Sequence, residues 1–419
     1  MATLLCERGY RVALLEKEVH PRFHIGESLL PANLPLFEKL GVADEIRAIG
    51  MVKLGATFVS PWHDDISGFR FADGIDKSLP SAYQVRRSQF DEILFRRATR
   101  AGADAREGVR VREADLGTRG SGVRVSATDR AGAELEWNAR FLVDATGRDT
   151  FLGNRLKIKQ RNPKHASAAI FGHFRNARRD TGETEGNIII AWFEHGWFWF
   201  IPLKDGITSV GAVAWPYYLN SRNKRPVRDF LMETIALCPE IADRLKDAEL
   251  AEEPTATGNY SYDSRECQGE NFLMIGDAFA FVDPMFSSGV MLAMNSAFEA
   301  AAVVEARFKG DERAEQKARA RFDWAMRHGP REFSWFIYRV TNPNLRDMFM
   351  SPRENWVKAA VVSVLAGDLF RGTPIRRGLL AFRSLYYLTS LADVRRSLAA
   401  WRRRAFNIDD RSVMRSSRG

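Results

Sequence analysis

These 419 residues predict a mixed α/β fold: one lobe on short parallel strands, an interleaved β-rich lobe, and a helical C-terminal region. Three observations carry that prediction. Three apolar runs end in an acid beside small residues, as buried parallel strands do where they feed a turn. Between residues 165 and 255, four runs have strand character: Ser167 to Phe174, Asn187 to Phe193, Trp197 to Leu203 and Thr208 to Trp215, with a helical insert from Val227. From about residue 311 onward the pattern is helical. The parallel-strand lobe takes residues 1–60, 84–160 and 256–310, the β-rich lobe 61–83 and 161–255, and the helical region 311–419. A chain that returns in this way gives interleaved lobes rather than sequential domains.

The elements follow in order. Arg11 to Lys17 reads as a buried parallel strand tipped by Glu16 and Lys17. In a dinucleotide-binding fold, an acid at that place accepts hydrogen bonds from ribose hydroxyls. Pro21 to Pro31 contains Gly26-Glu27-Ser28, and Val85 to Asp91 opens a helix around Arg87, with Ser88 as its expected N-cap. Val143-Asp144-Ala145-Thr146-Gly147 is a strand running into a small-residue turn. Phe272 to Ala278 is another, ending in Gly276-Asp277, where glycine lets backbone approach a ligand and the acid can bind hydroxyls. Gly196-Trp197-Phe198-Trp199-Phe200-Ile201-Pro202 is a strand that sets Trp197, Trp199 and Ile201 on one face and Phe198 and Phe200 on the other. Alone, such an aromatic stripe is a core strand.

Composition suits a globular enzyme, with 45% hydrophobic and 27% charged residues. Cys6, Cys238 and Cys267 are odd in number and widely spaced, which predicts a reducing, cytoplasmic setting and neither disulfides nor a metal site. No apolar run reads as a membrane span. The net charge of +9 is concentrated at the end: from Leu365 onward there are twelve Arg and four Asp. Arg371, Arg376, Arg377, Arg383, Arg395, Arg396, Arg402, Arg403 and Arg404 interleave with Phe370, Leu379, Leu380, Phe382, Leu385, Tyr386, Tyr387 and Trp401. This basic amphipathic pattern reads as a solvated helical face packed on the body, as a dock for an acidic carrier protein, or as peripheral membrane contact. Nucleic acid is not expected, since no recognition module accompanies the charge.

Taken together in this order, the acidic strand tip, Pro21 to Ser28, Asp144-Ala145-Thr146-Gly147 and Gly276-Asp277-Ala278 resemble the FAD monooxygenase fold. The Trp-x-Trp-x-Ile-Pro run resembles its flavin-dependent halogenase branch, over residues 1 to about 345. The resemblance implies an FAD-binding Rossmann-like lobe. It implies Glu16, Lys17, Gly26, Glu27, Ser28, Arg87, Asp144, Gly147, Gly276, Asp277 and Pro284 at the cofactor. It also implies FAD supplied reduced by a separate flavin reductase, and chloride or bromide oxidised to hypohalous acid. One departure concerns the start. Such a fold opens with a strand and a Gly-x-Gly-x-x-Gly loop, whereas Met1 to Gly9 reads as the middle of the following helix. We expect a start codon called too late by about fifteen residues, and weak FAD retention by the chain as given. A degenerate protein that has lost FAD is the rival.

The resemblance assigns chemistry to three places. Trp197 and Trp199 would fill the space beside the flavin, so that the oxidant travels a tunnel to a separate substrate pocket. Lys53, within Met51 to Phe58, would stand at the far end and meet hypohalous acid, its pKa lowered in an apolar pocket. A lone lysine at a strand start is otherwise a surface residue. Phe281 to Val290 matches the pattern Phe-x-x-Pro-x-x-Ser-x-Gly, with the Ser288 and Gly289 amides as halide donors at a helix start and Ser287 as N-cap. Phe286 stands where halogenases of free tryptophan place glutamate, so the resemblance favours a phenolic or pyrrolic substrate, free or carrier-bound. His24, His165, His173 and His195 lack metal spacing and read as structural, although His195 could line the tunnel. An aromatic hydroxylase would share the FAD motifs without needing the Trp pair or Lys53. A prenyl reductase would suit the basic tail.

Overall fold

A computed structural model describes residues 1–258, 261–352 and 355–408; the last residues of the basic tail, 409–419, lie outside it. The first lobe holds two parallel strand pairs. Ala13–Glu16 pairs with Asp104–Glu107, and Leu142–Asp144 pairs with Phe272–Met274. Ala13–Glu16 is parallel as expected but only partly buried, because Asp104–Glu107 is its one strand partner among the described residues. Before it, the helix Ala2–Cys6 closes through Gly9, at φ 83°, with the Tyr10 amide donating to the Leu5 carbonyl. That is the left-handed closure glycine permits.

The second lobe is an eight-stranded sheet among the described residues. Its order runs Glu249–Leu250, Ala168–Arg175, Thr208–Ala214, Gly196–Pro202, Ile188–Phe193, Gly55–Val59 and Ser67–Arg70, with Thr255–Thr257 alongside Ala168–Arg175. The chain thus enters this sheet at Gly55, earlier than the lobe boundary read from the sequence, since Gly55–Val59 pairs with Ile188–Phe193. The four predicted runs are its centre, within one residue at each end.

Both faces of Gly196–Pro202 are buried. Phe198 and Phe200 join Phe230, Leu231 and Ile241 of the predicted helical insert. Trp197, Trp199 and Ile201 face the other way, into a core with Phe336, Phe349, Phe382 and Tyr386 of the C-terminal helices. Trp199 is seated by its neighbours. Its Nε1 donates to Ser209 Oγ at 3.1 Å, and its ring lies over Gly211, where an added Cβ would stand 2.3 Å from Cζ2. A side chain there requires displacement of the indole or of Phe171.

The helices Gly289–Lys309 and Glu312–Ile337 form an antiparallel hairpin turned at Gly310, at φ 74°. Contrary to the sequence reading, Gly289–Lys309 is long and apolar enough to cross a membrane, with half of the relevant window buried inside the protein. Its alanines and methionines pack on the first lobe and the hairpin partner, so the apolarity serves the core. The basic tail divides. Helix Arg376–Ala392 buries Leu379, Phe382 and Tyr386 against the body, as a packed amphipathic helix does. Helix Val394–Ile408 leaves Val394, Leu398 and Trp401 exposed.

Gly211→Ala should destabilise the fold by roughly 1–3 kcal/mol through overpacking. Urea unfolding followed by tryptophan fluorescence measures this, and an unchanged midpoint would refute the account of the indole seat.

Candidate active site

Ligands of open α/β sheets bind outside the carboxyl ends of the parallel strands. Glu16, Asp144 and the Gly276-Asp277 turn all stand at such ends. Gly276 takes φ 56°, and a Cβ there would lie 2.9 Å from that of Ala293. The missing side chain lets the helix Gly289–Lys309 sit against the turn, where Ser296 Oγ accepts from the Gly276 amide at 3.1 Å. A small cleft, with room for about 30 Å³, is lined by Gly276, Asp277, Phe281, Val282, Gly289 and Ser296.

The acids differ in availability. Asp144 is spent on its own loop: Oδ1 accepts from the Thr146 amide and hydroxyl, and Oδ2 accepts from the Leu152 amide. Glu16 accepts from the Glu18 amide and from Arg22, which also reaches Asp91. Lys17 pairs with Asp149. The Asp277 carboxylate has no hydrogen-bond donor among the described residues. Burial raises its pKa to about 6, against the opposing pull of Arg87 and Arg148. An open acceptor beside a cradle too close for any side chain fits a hydroxyl-rich cofactor such as FAD. Gly147 adds to the cradle, at φ 59° with nothing within 4 Å of a Cβ position.

Gly26 takes φ 103°, its Cβ position 3.0 Å from Arg87 Nη1. That nitrogen donates to the carbonyls of Ile25 and Gly26 at 2.7 and 3.3 Å, while Nε and Nη2 hold Asp91. The helix starts at Arg87 with Arg86 in the N-cap position, so Ser88 lies inside the first turn and caps nothing. Glu27 is buried and accepts from His173 Nε2 at 2.8 Å; His173 Nδ1 meets Glu252. Burial pulls the His173 pKa down, but the hydrogen bonds and charges of Glu27 and Glu252 outweigh it and raise the value. The sequence singled out His173 as structural, and it is a clamp on a predicted cofactor residue.

Lys53 ends the strand Met51–Lys53 and is 1% exposed, which removes the surface reading. Nζ donates to Ser28 Oγ at 2.9 Å and to the Leu29 carbonyl at 3.2 Å, and lies 5.2 Å from the Phe71 ring centroid. It has no carboxylate partner among the described residues. Burial lowers its pKa to about 7. The next residue, Leu30, packs in the core that holds Trp197, Trp199 and Phe286. The segment Ser28–Leu30 thus links the lysine to the aromatic face.

Phe286 is buried against Phe336 and Phe349, with ring centroids at 5.9 and 6.3 Å. It lies in the short turn Pro284–Phe286, whose Met285 amide donates to Asp283 Oδ1. Ser287 then takes φ 55°, and Ser288 is the N-cap of the long helix. The expected capping by Ser287 therefore fails, because its left-handed backbone turns it out of line; Ser288 makes no side-chain cap either. The amides of Ser288 and Gly289 have no acceptor among the described residues, as is normal at a helix start. Asp283, Ser167 and His165, which hold this turn from outside, were not read from the sequence as site residues. Among the described residues no group of three or more His, Cys, Asp or Glu could hold a metal.

The sequence model of the tryptophan halogenase family matches residues 68–347. The chain belongs to this family. Its relatives include a 1H-pyrrole-2-carbonyl-[peptidyl-carrier protein] chlorinase of Pseudomonas fluorescens, 30% identical, with 89% of this chain and 87% of that protein covered. A flavin-dependent halogenase of Armillaria mellea is 34% identical over 74% of this chain, which spans 63% of that longer protein. Among solved structures, a flavoprotein/dehydrogenase from Cytophaga hutchinsonii matches with TM-score 0.85 and 28% identity over 94% of this chain and 96% of that one. The myxobacterial chondrochloren halogenase matches with TM-score 0.76 and 32% identity, 89% and 88% being covered. The flavin-dependent halogenases are FAD-dependent oxidoreductases that act with halide, so the cofactor class and the enzyme class follow from membership.

Lys53→Met should change stability in a pH-dependent way. The folded pKa of about 7 lies below the ordinary 10.5, so protonation favours the unfolded chain. That penalty is complete below about pH 7 and fades toward pH 10. The stability of the variant relative to the parent should therefore fall by roughly 1.4 kcal/mol per pH unit across this window. Urea midpoints at about pH 6.5 and about pH 9 test it, and a pH-independent difference would contradict a buried, depressed lysine.

Proposed function

We propose that the protein is a halogenase of an electron-rich aromatic acyl group, pyrrolic or phenolic, carried on an acyl carrier protein. The observation that carries the reading is the buried lysine with no ion-pair partner among the described residues, joined through Ser28–Leu30 to an aromatic face closed by Phe286. The carrier-bound pyrrole assignments of two relatives, a chlorinase and a brominase, support this substrate class.

Bound and reduced, by a separate flavin reductase in this reading, FAD would supply the activation of oxygen. The chain's own residues do the rest. Asp277, Gly276, Gly147 and the Gly26–Ser28 segment hold the cofactor, with Arg87 bracing that segment from behind. Glu16, Lys17 and Asp144 shape the strand-end loops around it, and Pro284 opens the turn at its side. The Ser288 and Gly289 amides bind chloride or bromide. Trp197 and Trp199 exclude the organic substrate and water from the place where halide is oxidised. Lys53 meets the resulting hypohalous acid. Its amine titrates in the neutral range, so one group can hydrogen-bond the acid as ammonium or take halogen as free amine. Phe286 leaves no carboxylate beside it and gives the substrate pocket an apolar wall.

The carrier would dock on the exposed ridge of Leu391, Val394, Leu398 and Trp401. Arg395 and Arg402 flank it without carboxylate partners among the described residues. An apolar ridge edged by free cations suits an acidic protein surface.

A bromide reaction with FAD, a flavin reductase, NADH, oxygen and pyrrolyl-carrier protein should give product with the bromine isotope doublet. Lys53→Ala should abolish that product while flavin reoxidation continues. Oxygenated product without halide dependence would favour the hydroxylase reading, and product retained in Lys53→Ala would remove the role of the lysine. Replacing Arg395 and Arg402 together by Glu should raise KM for the carrier-bound substrate about tenfold or more without altering turnover of a free pyrrole ester. An equal KM would remove the ridge as the dock.

A further inference from the structure

A chain of hydrogen bonds runs from the C-terminal helix to the turn that precedes Ser288. Arg404, on helix Val394–Ile408, donates through Nη2 to the Lys164 carbonyl at 2.8 Å and stands 3.4 Å from His165 Nδ1. The guanidinium is half-buried, 5.9 Å from the Trp215 ring centroid and 5.4 Å from that of Tyr338. Burial lowers its pKa only to about 10, so it is charged at neutral pH. Arg403 beside it pairs with Glu194 at 2.8 Å. His165 is buried, and its other nitrogen, Nε2, lies 3.0 Å from Asp283 Oδ2. Ser167 Oγ donates to the same oxygen at 2.6 Å, and Asp283 Oδ1 receives the Met285 amide at 3.2 Å.

This order fixes roles. Arginine only donates, so His165 Nδ1 faces it as an acceptor and the ring proton sits on Nε2, directed at Asp283. Asp283 is thereby held by two donors on one oxygen while its other oxygen sets the first amide of the turn Pro284–Phe286. The turn delivers the strained Ser287 and, after it, the amides of Ser288 and Gly289, which have no acceptor among the described residues. Amides that bind an anion weakly are sensitive to small errors in aim, because a site is only as well defined as the groups that support it.

We propose that Arg404 is a positioning residue for the halide-binding turn, acting through His165 and Asp283. The proposal rests on the reading of the Ser288 and Gly289 amides as the halide site. It gives the C-terminal helix a part in halide affinity, at a distance from the anion and without touching it.

The test separates the two. In bromide-soaked crystals of the parent protein, an anomalous peak should lie at the Ser288 and Gly289 amides. In Arg404→Ala, the bromide concentration giving half-maximal rate should rise roughly three- to thirtyfold. Its kcat at saturating bromide and its flavin reoxidation rate should be unchanged, and the anomalous peak should be weaker at equal bromide. His165→Ala should behave alike. His165→Gln, which keeps an acceptor and a donor, should recover most of the affinity. If Arg404→Ala does not fold, Arg404→Lys, which keeps the charge and loses the fork, should show the same shift to a smaller degree. Unchanged half-saturation and peak height in the folded variants would overturn the proposal. A parent crystal without a peak at the turn would overturn the halide reading itself, and this inference with it.

Discussion

The arrangement depends on burying both faces of one strand, Gly196–Pro202. Its alternation leaves no polar side, so each face must find a separate cover. The phenylalanine face is covered locally, by helices from the insert at residues 227–244. The tryptophan face is covered by segments more than 130 residues further along the chain, with Phe333, Phe349 and Phe382 among them. These segments also close over Leu30, Met285 and Phe286. Burial of two indoles therefore brings together the lysine segment, the turn before the long helix, and the C-terminal helices.

A second constraint works at the opposite end of the site. Gly276 lacks a side chain where the helix Gly289–Lys309 passes, and the absence of a Cβ sets how near the helix start comes to the strand-end turn. The cleft between them is lined on one side by a carboxylate with no hydrogen-bond donor among the described residues and on the other by the helix start. In the proposed reading two kinds of recognition, hydroxyls by Asp277 and an anion by backbone amides, share one short stretch of surface.

Much of this was legible in the residues. The four central strands of the large sheet followed from short apolar runs bounded by turns, the faces of the tryptophan strand from the period of two, and the end region from its helical pattern. Lys53 and its apolar surroundings were expected only through the flanking motif, and its partners were not, since nothing local tells that Ser28 Oγ and the Leu29 carbonyl will accept from it. The caps at Ser88 and Ser287 were misread for a related reason. A serine near a helix start satisfies the pattern, yet the backbone angles of the neighbours decide which residue occupies the cap. The clamp of Glu27 by His173 and the Asp283 network were invisible, because their partners are 146 and 118 residues apart. Lone histidines carry no sequence signal for such contacts.

The cover over the tryptophan face also orders events during synthesis. When the ribosome has released the whole eight-stranded sheet, Trp192, Trp197 and Trp199 still lack the residues that close over them, from Met285 and Phe286 to the aromatic set that runs from Phe333 to Tyr386. A nascent chain at that stage shows a wide apolar surface, the kind that chaperones hold and that aggregates when left bare. The segment that completes the site thus leaves the ribosome well after the sheet, and the indoles are sealed only once residues 333–386 have emerged.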